Sequence, residues 1–250
     1  MELVQSFYDN LASHYDKLFQ DWREDVRRQA RLLDGLLRRE GFGPSSALLD
    51  CACGIGTQAI GLAALGYRMT ASDLSQKALA EAQTRAAAEG VDIAFAQADF
   101  RALETAFDRQ FDVILCMDNA LPHMLSPQAL AQAVESITAR LAPGGMLVAS
   151  IRDYDALLEQ KPPYSPPYIH KTGDGQRVCF QTWDWQGDCY RLTQYILEDG
   201  ESLQVSKFDC AYRATRREEL SALLTACGCD VRWLFPAESG FYQPMVVAQK

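Results

Sequence analysis

The stretch "LLDCACGIGTQAIGLA", Leu48 to Ala63, decides the fold. A short apolar run feeds two glycines, Gly54 and Gly56, and a helix-forming segment from Thr57 to Ala64 follows. Strand, glycine turn and helix together make a corner that binds an anion or a ribose. Neither glycine carries a Cβ, so a ligand can approach the backbone closely. Asp73 ends the next apolar run, "YRMTASD", about 20 residues on, where a carboxylate can take two ribose hydroxyls. "GIGTQA" also satisfies the dinucleotide pattern, which keeps NAD open as a ligand at this point. Asp50, just before the turn, suits a cationic ligand better than a pyrophosphate.

Outward from this corner, strands and helices alternate. Upstream, Val26, Ala30, Leu33 and Leu37 recur at helical spacing within Glu24–Arg39, and the GFGPSS run stops that helix. Downstream, Gln76–Glu89 reads as a helix, "IAFAQAD" as a third strand, "FDVILCMD" as a fourth and Pro127–Leu141 as a helix. "PGG" at Pro143–Gly145 breaks that helix, and "MLVASI" is a fifth strand. Continuous apolar strands alternating with helices predict a parallel sheet covered on both faces. From about Asp155 to Tyr212 helical periodicity fades. "RVCFQTWDW", "CYRLTQYILE" and "LQVSKFDCAYRA" alternate as strands between "QGD" and "EDGE" breaks, predicting an antiparallel insertion of about three strands. A helix over Arg217–Cys227 and strands at "DVRWLF" and "YQPMVVAQ" complete the chain. The expected fold is α/β: a Rossmann-like, mostly parallel seven-stranded sheet with helices on both faces, plus a small antiparallel insertion after the fifth strand. The expected organisation is an N-terminal helical segment over 1–45, a core over 46–154 and 213–250, and a β lid over 155–212.

Composition bounds the function. The 250 residues carry a formal net charge of -9 without a run of Lys or Arg, which argues against tight contact with a nucleic acid backbone. A small-molecule partner fits better. No signal peptide or membrane-length apolar run is visible, so the expectation is a soluble, cytoplasmic protein with no membrane partner; a homo-oligomer is left open. The eight cysteines fall mostly in apolar, strand-like contexts, and the C-x-C pairs Cys51/Cys53 and Cys227/Cys229 lack the common zinc spacing. No metal is expected.

Asp99 ends the third strand and is followed by Phe100, a pair able to clamp an adenine by its amine and its face. With D-x-x-x-G-x-G from Asp50, Asp73 and the PGG turn, these residues resemble class I S-adenosylmethionine-dependent methyltransferases. The resemblance implies that Ala52, Gly54 and Gly56 surround the methionine portion, Asp73 and Leu74 the ribose, and Asp99 and Phe100 the adenine. It places Met117 near the sulfonium. It implies S-adenosylmethionine as cofactor, S-adenosylhomocysteine as product, and an N-terminal segment closing over the site. Tyr15 and Trp22 are the candidates from that segment, as part of a Tyr8/Tyr15/Trp22 helical stripe. Arg23 and Arg28 are candidate partners for the cofactor carboxylate.

"MDNALPHM" after the fourth strand and "IRDYD" after the fifth lie at the carboxyl edge of the sheet, where ligands bind. Asn119 offers an amide, and Arg152 a fork of donors matched to a carboxylate. The competing reading of Arg152 is an ion pair with Asp153 or Asp155. His123 reads equally as a packed structural histidine and as a catalytic one. These segments, with "FYDNLASHYDKLFQDW", resemble glycine and glycine/sarcosine N-methyltransferases, which implies that Asn119 and Arg152 hold a substrate carboxylate and that Tyr168, Tyr212 and Tyr242 line the pocket. Ile151 and Asp153 depart from the animal enzyme's pattern of His and Asn around the arginine. The expected activity is N-methylation of glycine, sarcosine or a related small amino acid by in-line displacement. The alternatives are an O-, S- or C-methyltransferase for another small metabolite, an NAD-dependent oxidoreductase, and a non-catalytic cofactor-binding module.

Overall fold

The computed structural model describes residues 2–173, 175–200 and 202–250. The chain opens with helix α1 (Glu2–Leu11), a 3-10 stretch (Ala12–Leu18) and α2 (Trp22–Arg39). It then alternates through β1 (Ala47–Asp50), α3 (Thr57–Ala64), β2 (Arg68–Asp73), α4 (Gln76–Ala88), β3 (Ala94–Gln97), β4 (Phe111–Cys116), α5 (Pro127–Ala139) and β5 (Leu141–Ser150). After α6 (Tyr154–Gln160) come four strands, β6 (Tyr168–Thr172), β7 (Gly175–Gln186), β8 (Cys189–Glu198) and β9 (Gln204–Arg213). The chain closes with α7 (Arg217–Ala226), β10 (Asp230–Leu234), α8 (Pro236–Ser239) and β11 (Met245–Gln249).

The main sheet has seven strands in the order β10-β11-β5-β4-β1-β2-β3, and the second sheet has four in the order β6-β7-β8-β9. Strands β1 to β5 pair in parallel, while β11 runs antiparallel to both its neighbours. The expected α/β class is borne out. Its cause lies in the period-two pattern of the central strands. Leu48, Val113, Leu115, Met146 and Val148 face one layer with α2, α3 and α4. Leu49, Ile114, Cys116, Leu147 and Ala149 face the other with α5 and α7. Burying each Leu, Ile or Val in this way is worth about 1.5–3 kcal/mol. Side-chain caps set the helix starts: Asp21 for α2, Ser75 for α4 and Ser126 for α5 accept from backbone N–H groups.

Four details differ from the sequence reading. The second sheet has four strands rather than three, because the residues after the proline-rich turn pair with β7 as an edge. Helix α6 occupies the start of the segment expected to be irregular; Asp153 caps it, accepting from Ala156 N–H at 3.4 Å. The PGG turn lies inside β5 as an irregularity, the pairing passing from Phe111–Leu141 to Val113–Met146. The aromatic stripe is not one helix, since a 3-10 stretch and a capped restart at Asp21 separate Tyr8, Tyr15 and Trp22.

The N-terminal segment straps both sheets. Asp9 accepts from Ser75 Oγ at 2.6 Å, Lys17 meets Glu198 at 2.5 Å, and Arg177 donates to the Phe19 carbonyl at 2.6 Å. All eight cysteines are free thiols; Cys51, Cys53, Cys116, Cys179, Cys210 and Cys229 are buried. No described helix is long and apolar enough to cross a membrane.

Candidate active site

β1 and β4 are neighbours in space but not in sequence, so the chain reverses its winding between them, and a crevice opens beyond their carboxyl ends. A crevice with about 60 Å³ of free volume lies there, lined by Ala52, Gly54, Asp73, Leu74, Asp99 and Phe100 together with Met117, His123, Tyr8 and Tyr15. Gly54 has φ +53°, and a Cβ built on it meets nothing, so its missing side chain leaves the space free. Gly56 is different. At φ +92° a Cβ would lie 2.8 Å from Ile60 Cδ1, so this glycine shapes the turn from below and does not line the cavity.

Carboxylates dominate the polar wall. Asp73 accepts from Gly54 N–H and Ser75 N–H, both at 2.8 Å, which fixes it at the cavity edge. Asp50 is fully buried, accepts only a long 3.4 Å bond from Ala52 N–H, and leaves Oδ2 with no partner. Burial pushes its carboxyl up to about 8. Asp118 accepts from Tyr242 Oη at 2.6 Å and Gln58 Nε2 at 2.9 Å. Burial raises the Asp73 and Asp118 carboxyls too, against these hydrogen bonds. Among the described residues no Lys or Arg pairs with any of the three. A cavity lined by Asp73, Asp99 and Asp118, with no Lys or Arg in its wall among the described residues, fits a positively charged nucleoside such as S-adenosylmethionine and disfavours a pyrophosphate. Asp99 is engaged by its own neighbour: Arg101 reaches both carboxylate oxygens, at 2.6 Å at the shortest.

A second, larger cleft of about 950 Å³ adjoins the first and runs under the four-stranded sheet. Tyr8, Tyr15 and Asp118 line both. Arg152 enters this cleft from the end of β5. Its guanidinium donates to Tyr190 Oη and Gln181 Oε1, each at 2.9 Å, and lies 4.8 Å over the Trp183 ring. The acids beside it in sequence turn elsewhere, since Asp153 and Asp155 pair with Arg217. Arg152 therefore keeps a half-buried positive charge with only neutral partners. Asn119 is 2% exposed; its Oδ1 accepts from Arg152 N–H at 3.0 Å, and its Nδ2 has no partner. Asp118 and Asn119 both adopt the left-handed backbone region, φ +55° and +68°, held by bonds to Ser150 Oγ and to the Ser150 carbonyl. Such strain costs about 1–3 kcal/mol per residue and concentrates at working sites.

Of the aromatic candidates, Tyr212 is buried in the cleft wall, Tyr242 sits at its mouth, and Tyr168 is exposed at its rim. His123 is buried between Tyr8, which meets Nε2 at 2.8 Å, and the Tyr212 ring, 4.2 Å away. Burial pushes its imidazole down to about 3, so it is neutral at ordinary pH. Trp22 lies away from both cavities. Its indole N–H donates to Thr57 Oγ1 at 3.1 Å on the outer side of α3, because the chain restarts as α2 there. Arg23 pairs with Glu89, while Arg28 pairs with Asp25 at the edge of the larger cleft. The sequence reading passed over Asp118, Gln58, Gln181, Trp183 and Tyr190. Asp118 had a local signal, an acid at the carboxyl end of β4. The others had none.

Residues 48–145 match the family described as a methyltransferase domain. A glycine/sarcosine N-methyltransferase of Halorhodospira halochloris is 24% identical over 86% of this chain and 77% of its own. For one from Parasynechococcus marenigrum the identity is 28%, over 62% of this chain and about half (54%) of the relative's length. A dTDP-3-amino-3,6-dideoxy-alpha-D-glucopyranose N,N-dimethyltransferase of Streptomyces fradiae is 25% identical over 92% of this chain and 88% of its own. Among solved structures, an S-adenosylmethionine-dependent methyltransferase of Clostridium acetobutylicum superposes with TM-score 0.75 at 19% identity, covering 97% of each chain. An S-adenosylmethionine-bound amino pentose methyltransferase of Micromonospora echinaspora superposes with TM-score 0.73 at 20% identity over 90% of this chain and 91% of its own. Residues 48–145 thus carry a methyltransferase domain, and the fold around their acid-lined crevice is the one shared by S-adenosylmethionine-dependent methyltransferases.

Proposed function

We propose that the protein methylates the nitrogen of a small amine that also carries a carboxylate, glycine and sarcosine being the simplest members of the class. The observation that carries this reading is Arg152: a half-buried guanidinium with only neutral partners, beside the unpartnered Nδ2 of Asn119. A carboxylate would answer both at once. In this reading Ala52 and Gly54 hold the methionine portion of the cofactor, Asp73 and Leu74 the ribose, Asp99 and Phe100 the adenine, with Met117 at the sulfonium end. The segment 1–45 covers the cofactor, and 155–212 roofs the acceptor. The bound cofactor supplies a methyl group on a positive sulfur, which leaves as a neutral thioether sulfur when the amine lone pair attacks in line. The chain's part is orientation. Tyr8, Tyr15 and Tyr212 exclude water, and Asn119 and Arg152 fix the acceptor. Such positioning can supply about 7–11 kcal/mol in favourable cases.

The size of the larger cleft, about 950 Å³, supports a second reading in which the acceptor is a bulkier amine such as an amino sugar nucleotide. Methyl transfer from labelled S-adenosylmethionine to glycine, to sarcosine and to a dTDP-amino sugar separates the two. With a carboxylate acceptor, Arg152→Ala is expected to raise KM about tenfold or more, the loss of a charged hydrogen bond of about 1.5–3 kcal/mol. For an acceptor without a carboxylate, KM should hardly move. An equal effect on both acceptors would remove the carboxylate role of Arg152.

A further inference from the structure

Asp118 is the one acid of the site that borders both cavities, the cofactor crevice and the acceptor cleft. Its carboxylate has two neutral donors, Tyr242 Oη and Gln58 Nε2, and no cation among the described residues. Gln58 is itself held, since its Nε2 also donates to Gln29 Oε1 at 2.8 Å. The donors come from the C-terminal loop and from α3, so two separate parts of the chain converge to aim one carboxylate. The left-handed backbone at Asp118 needs the Ser150 hydroxyl, and that hydroxyl is in turn fixed by Gln243 Oε1 at 2.9 Å. Beside it, Asn119 lines the acceptor cleft and is itself buried, its amide nitrogen without a hydrogen-bond partner. An unpaired, partly desolvated carboxylate next to an unanswered donor is incomplete. It calls for a ligand with a positive group and an accepting group side by side.

We propose that Asp118 is the receptor for the ammonium group of the acceptor at the junction of the two cavities, taking one of its protons so that the nitrogen lone pair is free to attack. The inference rests on the methyltransferase reading and deepens it, because it selects amines over hydroxyl, thiol or carbon acceptors whatever the rest of the acceptor is. A neutral alcohol would leave the charge of Asp118 unanswered, whereas an ammonium satisfies it with a charge-assisted hydrogen bond. Tyr242 and Gln58 keep the carboxylate from turning away when the cleft is filled.

The probe is sinefungin, a cofactor analogue with an amine-bearing carbon in place of the methylated sulfur, compared with S-adenosylhomocysteine and S-adenosylmethionine by calorimetry. In the wild type, sinefungin is expected to bind about tenfold more tightly than S-adenosylhomocysteine, the strength of one charged hydrogen bond. In Asp118→Asn that preference should vanish while S-adenosylhomocysteine, which carries no cation at that point, stays within about threefold of its wild-type affinity. Equal wild-type affinities for sinefungin and S-adenosylhomocysteine overturn the proposal without any variant, should Asp118→Asn fail to fold. An unchanged preference in a folded variant also overturns it. Parallel loss of sinefungin and S-adenosylmethionine would assign the carboxylate to the sulfonium, again against the proposal. If the wild type binds none of the three, the methyltransferase reading itself fails, a result distinct from the others.

Discussion

Gly54 and Gly56 stand two residues apart and do different work. A Cβ on Gly54 projects into open space, while one on Gly56 meets Ile60 at 2.8 Å in a backbone conformation that side chains rarely adopt. Gly54→Ala should therefore lose only about 1–2 kcal/mol of stability, the cost of a left-handed alanine, yet weaken S-adenosylhomocysteine binding because the methyl group enters the cavity. Gly56→Ala should add an overpacking cost of about 1–3 kcal/mol and show chiefly in thermal unfolding. Calorimetry and melting curves on both variants check the contrast. Asp50 yields a pH prediction. Its carboxyl rises from 3.8 to about 8 on folding, so between these values the native state holds a proton that the unfolded chain has lost. His123 acts oppositely, but only between about 3 and 6.5. From pH 6.5 to 8 the Asp50 contribution therefore makes stability fall as pH rises, and Asp50→Asn should flatten that slope. A variant with the wild-type slope would show that Asp50 is not the group responsible.

Helices α2 and α3 meet at Gly61, where a Cβ would lie 2.7 Å from Ala30 Cβ and 2.8 Å from the Val26 carbonyl oxygen. Gly61→Ala must push α3 outward, and α3 carries Gln58 and follows the glycine turn. The expected result is a stability loss of about 1–3 kcal/mol together with weaker binding of S-adenosylhomocysteine, read in one titration and one melt. A stable variant with unaltered binding would mean that α2 yields instead. The same elements mark what the sequence could reveal. The corner around Gly54 and Asp73 was legible because its signals lie within one β-α-β unit: apolar strand, turn residues, helix, acid. Gln181, Trp183 and Tyr190 were not, because the pairing register of β7 and β8 brings them to Arg152 from some 30 residues away. Helix α6 was hidden by its shortness and by the prolines behind it. The PGG segment misled because a proline-glycine run marks an irregular strand as readily as a break. Trp22 fitted a seven-residue stripe, and only the capped restart of α2 moves it away from the cavity.

At the scale of the whole molecule, the two sheets share one strap, residues 2–20, with bonds to the cap of α4, to the turn holding His123 and to the four-stranded sheet. The larger cleft lies between that sheet and the carboxyl edge of the main one, so the strap and the roof form its walls together. The buried thiols turn this arrangement into a clock. Cys51, Cys53, Cys116 and Cys229 sit in the main sheet and its turns, Cys179 and Cys210 in the roof. An alkylating reagent can reach each only when its surroundings open. Timed labelling followed by mass mapping would then date the opening of each layer separately. Simultaneous capture of all six would mean that roof and main sheet melt as a single body. Earlier capture at 179 and 210 would mean that the roof lifts while the rest stays closed, and a cofactor-sized guest should delay that lifting.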